Sequence, residues 1–143
     1  MAITRLCLLQ KLIVSAVLIC FSLEGLSQNT LDKLGLTSFS PSVAAFSIRQ
    51  LSNAYSGPLL NVRRSSDNAQ QDIGFDAGGN LDQAALLAFV GAGNGFVTIW
   101  YDQSGNGYNA VQATAANQPR IVNAGVVEIK NGKPAIFLNG NTG

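Results

Sequence analysis

Residues 96–107 read FVTIWYDQSGNG and join the most strand-like run of the chain to a long turn signal. The run from 96 to 101 is β-branched and aromatic, with Thr98 as its one polar residue, which is typical of a strand buried on both faces. The turn begins at Asp102 and is rich in Gly and Asn. Glycine can adopt positive φ there, and a short carboxylate can accept backbone N–H bonds. This segment predicts a fold built on a β-sheet, with Asp102 capping a turn at the end of a strand.

Short apolar runs separated by turns lie on both sides of this strand. Strands are predicted over residues 59–64, 71–75, 121–122, 126–129 and 135–138, and a short helix is predicted over residues 81–90. Asn131-Gly132 is a typical two-residue hairpin turn, because both positions favour positive φ. Short strands at regular spacing predict a mostly β fold, a β-sandwich that carries two short helices.

The other short helix is predicted over residues 41–55. Ser40 followed by Pro41 is the usual order of an N-cap and a first helical residue. Apolar residues then recur at spacings of four, three and four, which places them on one face of a helix. These residues are Ala44, Ile48, Leu51 and Tyr55. Ser56-Gly57-Pro58 is expected to end the helix.

The first 27 residues are typical of a secretory signal peptide. Arg5 and Lys11 precede a short apolar run, and small residues lead to an expected cleavage site before Gln28. A membrane anchor is the alternative, but the run is short for a bilayer and Glu24 follows it closely. We therefore expect a secreted or cell-surface protein with no membrane contact after cleavage.

The expected organisation is a signal peptide over 1–27, a linker over 28–40 and one domain over 41–143. The chain ends shortly after a predicted strand, and five or six strands are fewer than a two-sheet sandwich commonly contains. Residues 41–143 are therefore expected to be the front part of a longer domain.

Two absences exclude several kinds of chemistry. The chain has no His, which excludes His-based triads, and its two cysteines, Cys7 and Cys20, both lie in the signal segment. No disulfide-linked partner is therefore expected. The formal net charge is +1, which provides no basic surface for nucleic acid.

Paired carboxylates remain possible, because a retaining glycosidase uses one as nucleophile and one as acid/base, about 5 Å apart. Of eight Asp and Glu, Glu24 lies in the signal segment, which leaves seven, and their spacing singles out no pair. No catalytic residue is identifiable. Asp67, Asp76 and Asp102 each lie beside Ser, Asn or Gly, which favours turn caps. The acidic spacing over 67–82 does not fit a twelve-residue calcium loop, so no metal or other cofactor is expected.

Three residues are candidates for binding carbohydrate. The indole of Trp100 can stack on the C–H face of a sugar, although a core position is the commoner role of such a residue. Arg63 and Arg64 are neighbours on a predicted strand and point to opposite faces, so one is expected to pair with a carboxylate and the other to meet solvent or ligand. Asp102 is the third candidate, beside its expected role in the turn.

Two long segments carry a resemblance to a known family. AAFSIRQLSNAYSGPLLNVRRSSDNAQQDIGF over 44–75 and LDQAALLAFVGAGNGFVTIWYDQSGNGYNAVQA over 81–113 resemble the front of the catalytic domain of the alpha-L-arabinofuranosidase B family. QPRIVNAGVVEIKNGKPAIFLNG over 118–140 is similar to segments of bacterial laminin-G-like and concanavalin-A-like domains. Both resemblances imply a jelly-roll sandwich of the concanavalin-A type.

The resemblance implies a glycoside hydrolase that removes terminal arabinofuranosyl residues from plant polysaccharides, so the implied partner is a polysaccharide or glycan. Two departures limit what can be carried over. Family cysteines correspond to Ser42, Val90 and a residue near Phe96, and the family's reacting carboxylates lie downstream of the matched residues. The alternative is a non-catalytic, lectin-like jelly roll of a bacterial surface adhesin.

Overall fold

The computed structural model describes residues 29–34 and 43–138. The predicted signal peptide, the Ser40-Pro41 helix start and the polar residues 139–143 lie outside these ranges. Within them the protein is mostly β, with antiparallel strands and two short helices. No helix in the described ranges is long and apolar enough to cross a membrane.

Six strands form the main sheet, in the order β2-β1-β3-β5-β6, with β4 pairing the far end of β3. They are β1 Leu60–Arg64, β2 Gln70–Ile73, β3 Gly95–Trp100, β4 Ala110–Val111, β5 Arg120–Asn123 and β6 Val126–Val127. Every pairing is antiparallel. A separate hairpin joins β7 Ile129–Lys130 to β8 Lys133–Pro134. The strand predicted from FVTIWY is confirmed as the central β3.

The second helix covers one face of the sheet. The helices are α1 Thr30–Lys33 and α2 Gln83–Val90, and Ala115–Asn117 forms a single 3₁₀ turn. Asp82 caps α2 by accepting the Ala85 N–H at 2.9 Å, and Gly91 ends the helix at φ 65°. The apolar core lies between α2 and the sheet and includes Leu60, Leu86 and Ile121, which are fully buried. An alanine Cβ at Gly95 would lie 3.0 Å from the Val90 side chain, so α2 and β3 approach closely there.

The hairpin predicted at Asn131-Gly132 is confirmed. The two residues have φ of 53° and 74° and connect β7 directly to β8. This is the left-handed pair that a two-residue turn requires between right-twisted strands.

The helix predicted over 41–55 is wrong for the described residues 43–55, which contain no helix. We call residues 43–52 the strap, because they cross the end of β3. The side chains of Asp102 and Gln103 accept the Ala45 and Leu51 N–H groups, each at 2.8 Å. Gln50 N–H donates to Gly79 O at 2.7 Å. Partners outside the segment therefore replace the bonds that a helix would make within itself.

Three other segments differ from the prediction. Residues 135–138 are not a strand, because Phe137 pairs with Arg120 only in an isolated bridge and β8 lies earlier, at Lys133–Pro134. The apolar run 126–129 is not one strand: β6 lies in the main sheet and β7 begins a separate hairpin, with Glu128 between them. The predicted linker 28–40 contains α1, which the sequence analysis did not predict. The buried Leu31 anchors α1, since its N–H donates to Leu51 O at 2.8 Å.

Candidate functional site

All seven carboxylates of the described residues have an identified partner. Six cap backbone N–H groups or take part in ion pairs, and they are Asp32, Asp67, Asp76, Asp82, Asp102 and Glu128. Asp67 and Asp76 cap turns, as predicted. Asp72 is the one of the seven that neither caps a backbone N–H nor forms an ion pair, and it binds the side chains of Asn61 on β1 and of Tyr101 directly after β3.

Asp72 lies on the face of the sheet that α2 does not cover. It is directly opposite Asn61 in the register of β1 and β2, and cross-strand partners share a face. Its Oδ1 accepts the Asn61 amide at 2.8 Å and the Tyr101 hydroxyl at 2.9 Å. Thr98, the extra residue at a bulge between β1 and β3, donates to the Asn61 side chain and to its carbonyl oxygen. We call Asn61, Asp72, Thr98 and Tyr101 the polar cluster.

The polar cluster changes the acidity of its tyrosine. Burial, followed by the hydrogen bond to Asp72, raises the pKa of Tyr101 to about 12. A phenolate there would lose solvation and face a carboxylate, so the neutral hydroxyl is favoured. The nearby Tyr55 also has a raised pKa, caused by burial and then by the charges of Asp102 and Asp72.

Substituting Asp72→Asn is expected to lower the pKa of Tyr101 from about 12 towards the ordinary value of 10. The amide removes the charge that opposes a phenolate, while burial remains. The near-ultraviolet absorbance of phenolate during an alkaline titration measures this, with Tyr101→Phe identifying the transition.

The folded-state pKa of Tyr101 lies above its unfolded value, so its contribution to stability is present below about pH 10 and is lost as the pH rises towards 12. An unchanged Tyr101 titration in Asp72→Asn would show that the carboxylate does not control this group.

Asp102 is 3% exposed and serves as the predicted turn cap. Its carboxylate accepts the backbone N–H groups of Ala45, Ser104 and Tyr108 and the Ser104 hydroxyl, at 2.7–3.1 Å. Burial by itself would raise the pKa of Asp102, but these bonds outweigh it and the pKa is lowered.

Trp100 also holds the strap. Its indole N–H donates to Ser47 O at 3.0 Å, and its ring meets Phe46 edge-on at 5.9 Å. The buried Gln103 donates to Ser47 O and Arg49 O. The sequence predicts Gln103 only as part of a turn, because a glutamine by itself does not indicate which distant backbone groups its side chain will bind.

Arg63 lies elsewhere, on the uncovered face of the sheet. It donates to Gln118 and Asn68, each at 2.7 Å, and its guanidinium lies 4.9 Å from the Phe96 ring centroid. Arg64 is the arginine that pairs with a carboxylate, Asp67, at 2.6 Å. The structure thus brings Trp100 and Asp102 together at the strap and leaves Arg63 apart from them.

No group of three acidic, His or Cys side chains that could hold a metal occurs within 29–34 and 43–138. The face of the sheet that α2 does not cover carries amide, hydroxyl, carboxylate and guanidinium groups, most of them on strands. Such groups can orient sugar hydroxyls or hold the strands in register.

Residues 36–141 match the family model described as alpha-L-arabinofuranosidase B, catalytic. A probable alpha-L-arabinofuranosidase B of Aspergillus fumigatus is 47% identical over 75 residues, which is 51% of this chain and 15% of that protein. An alpha-L-arabinofuranosidase of Hypocrea jecorina is 45% identical over 74 residues, with the same coverage. The chain thus spans about 15% of the length of these curated relatives.

Solved structures show the same similarity. An arabinofuranosidase complexed with arabinofuranosyl-alpha-1,2-xylobiose superposes with a TM-score of 0.53 and 36% identity, covering 60% of this chain and 18% of that one.

Proposed function

The chain belongs to the alpha-L-arabinofuranosidase B catalytic family, and on that premise we propose that it acts in a glycoside hydrolase that releases terminal arabinofuranosyl residues from plant polysaccharides. The family match over residues 36–141 carries this proposal, because it includes the central sheet, the strap and the turn at Asp102. The named relatives are enzymes of this kind, which favours a hydrolase over a lectin-like adhesin. A polysaccharide is then the partner, and no cofactor is required.

In this proposal the described residues hold the catalytic domain together rather than react. A retaining glycosidase needs a carboxylate to attack the anomeric carbon and a second one to protonate the leaving oxygen. Each carboxylate described here already has structural partners. Four of them accept backbone N–H groups, and these are Asp32, Asp76, Asp82 and Asp102. This supports placing the two reacting carboxylates outside residues 29–34 and 43–138.

We also propose that the sheet is one layer of a concanavalin-A-like jelly roll. The antiparallel pairing of its six strands and the superposition on a solved arabinofuranosidase support this proposal. The second, bacterial resemblance noted from residues 118–140 belongs to this same proposal.

Export is a further part of the proposal, based on the signal peptide over 1–27, followed by the linker over 28–40 and the domain from 41 onward. Extracellular plant polysaccharide requires a secreted or cell-surface enzyme. We expect the exported chain to begin at or near Gln28, which mass spectrometry of secreted protein measures.

The proposed function is tested by grafting. We expect the 143-residue chain alone to give no turnover of an aryl arabinofuranoside. The same matched segment, placed in the Aspergillus fumigatus relative in exchange for its counterpart, is expected to give an active chimera. The measurement is kcat of both preparations, with folding checked by circular dichroism.

A substitution in the chimera separates a positioning role from a reacting one. Asp72→Asn is expected to leave kcat unchanged within error, because Asp72 binds side chains of its own sheet. A loss of about a hundredfold or more, as removal of a general acid produces, would place a reacting group in this segment and contradict the proposal. A folded but inactive chimera would contradict the family role of the segment.

A further inference from the structure

A second feature, away from the polar cluster, is a cleft of about 250 Å³. Three segments distant in sequence form its walls: residues 47–49 of the strap, then Asn80, Leu81 and Gln83 around the start of α2, and residues 133–134 of β8. The carboxylate of Asp82 is not part of the lining and caps α2 at the Ala85 N–H. Its floor is apolar and includes Leu81, which is 1% exposed, together with Ile48 and Pro134. We call this the strap cleft.

The strap cleft carries two positive charges. Arg49 and Lys133 line it, and none of its lining residues is acidic. The two ion pairs within the described residues involve Arg64 and Arg120, so neither cation of the cleft has a carboxylate within ion-pair distance there. The Arg49 guanidinium donates to the neutral Thr30 hydroxyl at 3.2 Å. The cleft therefore presents uncompensated positive charge, although the chain as a whole is close to neutral.

Neutral hydrogen-bonding groups complete the walls. The amide side chains of Asn80 and Gln83 and the hydroxyl of Ser47 line the same space. A few polar groups converging on an apolar floor are typical of small-molecule sites. At about 250 Å³ the space lies just below the range of roughly 300–1,000 Å³ for drug-sized ligands, so it suits a single ring rather than an oligomer.

We propose that the strap cleft binds a sugar that bears a carboxylate, that is, one uronic acid residue of an acidic polysaccharide. The carboxylate pairs with Arg49 and Lys133, the hydroxyls bond to Asn80 and Gln83, and the C–H face of the ring packs on the apolar floor. This inference depends on the proposed function only for the choice of a glycan as ligand. It gives the enzyme a specificity for charged regions of its polysaccharide.

The test is a titration of the ¹⁵N-labelled chain followed by NMR, with D-glucuronate as the probe. We expect saturable, millimolar binding with shifts concentrated at residues 47–49, 80–83 and 133. D-Glucose, which lacks the carboxylate, and acetate, which lacks the ring, are expected to leave these signals unmoved at the same concentrations. Added NaCl is expected to weaken glucuronate binding, because exposed charges are screened by salt.

Variants identify the charge that matters. Lys133→Gln is expected to weaken glucuronate binding about tenfold, the usual effect of losing one hydrogen bond to a charged group. Lys130→Gln is the matched control, because it makes the same charge change at the register partner of Lys133, a residue that does not line the cleft. Lys130→Gln is expected to weaken binding far less than Lys133→Gln, because a charge that does not contact the ligand acts only through screened solvent.

Each of the other results overturns the inference. Equal shifts with acetate would mean a simple anion site, and equal shifts with glucose would mean that the charge is not read. If glucuronate caused no shifts, or if both lysine variants weakened glucuronate binding equally, the strap cleft would not be a uronate site. None of these measurements depends on turnover, so failure here and failure of the grafting experiment are distinguishable.

Discussion

Substituting Asp102→Ala is expected to lower the free energy of unfolding by about 2–4 kcal/mol, because it leaves several donors around a buried carboxylate without an acceptor. The Ala45 N–H is itself buried and cannot readily find water, whereas those of Ser104 and Tyr108 lie nearer solvent. Loss of the bond to Ala45 also frees one end of the strap. Urea denaturation followed by circular dichroism measures the change.

Asp76→Ala is the matched control for this substitution. Asp76 makes the same kind of turn contact, with the Gly78 and Asn80 N–H groups, but at an exposed site where water can replace it. We expect a loss of about 1 kcal/mol or less there. If Asp102 were instead a sugar ligand, the Asp102→Ala variant would have the same melting temperature as the parent chain. If Asp102→Ala and Asp76→Ala lost equally small amounts of unfolding free energy, burial of Asp102 would not have the effect assigned to it.

The same carboxylate predicts a pH dependence. The folded-state pKa of Asp102 is lowered below its unfolded value, near 3.9, so the unfolded chain binds more protons in this window and stability rises with pH. The contribution is fully present above the unfolded pKa and is lost as the pH falls through the folded one. Asp102→Asn is expected to be less stable at neutral pH and to show a flatter acid limb than the parent chain.

Substituting Leu60→Ala is expected to cost about 3–4 kcal/mol of unfolding free energy. Leu60 has no exposed surface and lies on β1, between β2 and β3, where the core is packed against α2. Removing a buried leucine side chain loses its transfer free energy. It also leaves a cavity, because a strand that is paired on both sides can move little to fill the space. Against a total stability of about 5–15 kcal/mol, this loss shifts the urea midpoint strongly.

Val111→Ala provides the comparison for Leu60. Val111 is also a branched apolar residue on a strand of the same sheet, but it is 65% exposed. Its truncation is expected to change stability by about 0.5 kcal/mol or less. A loss below about 1 kcal/mol in Leu60→Ala would show that β1 is not the packed centre of the domain.

The local elements that were predicted correctly all have their signal within a few neighbouring residues. β3 has a continuous β-branched and aromatic run, α2 has an Asp cap and a terminal Gly, and Asn131-Gly132 encodes its own turn. The turn cap at Asp102 was predicted for the same reason, because Ser104 follows it two residues later.

The polar cluster could not be predicted in this way. Asn61 and Asp72 become neighbours only through the register of β1 and β2, and Thr98 joins them only because a bulge interrupts the pairing with β3. Residue types do not specify register between strands, and a shift of one residue would move every side chain to the opposite face. The strap cleft could not be predicted either, because its walls come from three segments that only the tertiary fold brings together.

By itself, the sequence determined the β character of the chain, the positions of β3, α2 and the β7–β8 turn, and the resemblance to a family whose match covers residues 36–141. Only the tertiary structure decided the conformation of the strap. Its apolar spacing is that of a helix, yet its N–H groups are taken by Asp102 and Gln103, which arrive from more than fifty residues away. A backbone N–H can be satisfied either by a carbonyl within a helix or by a buried side chain from elsewhere in the chain. Because the strap is buried against the end of β3, its N–H groups bind the side chains of Asp102 and Gln103, which the sequence of the strap itself does not contain.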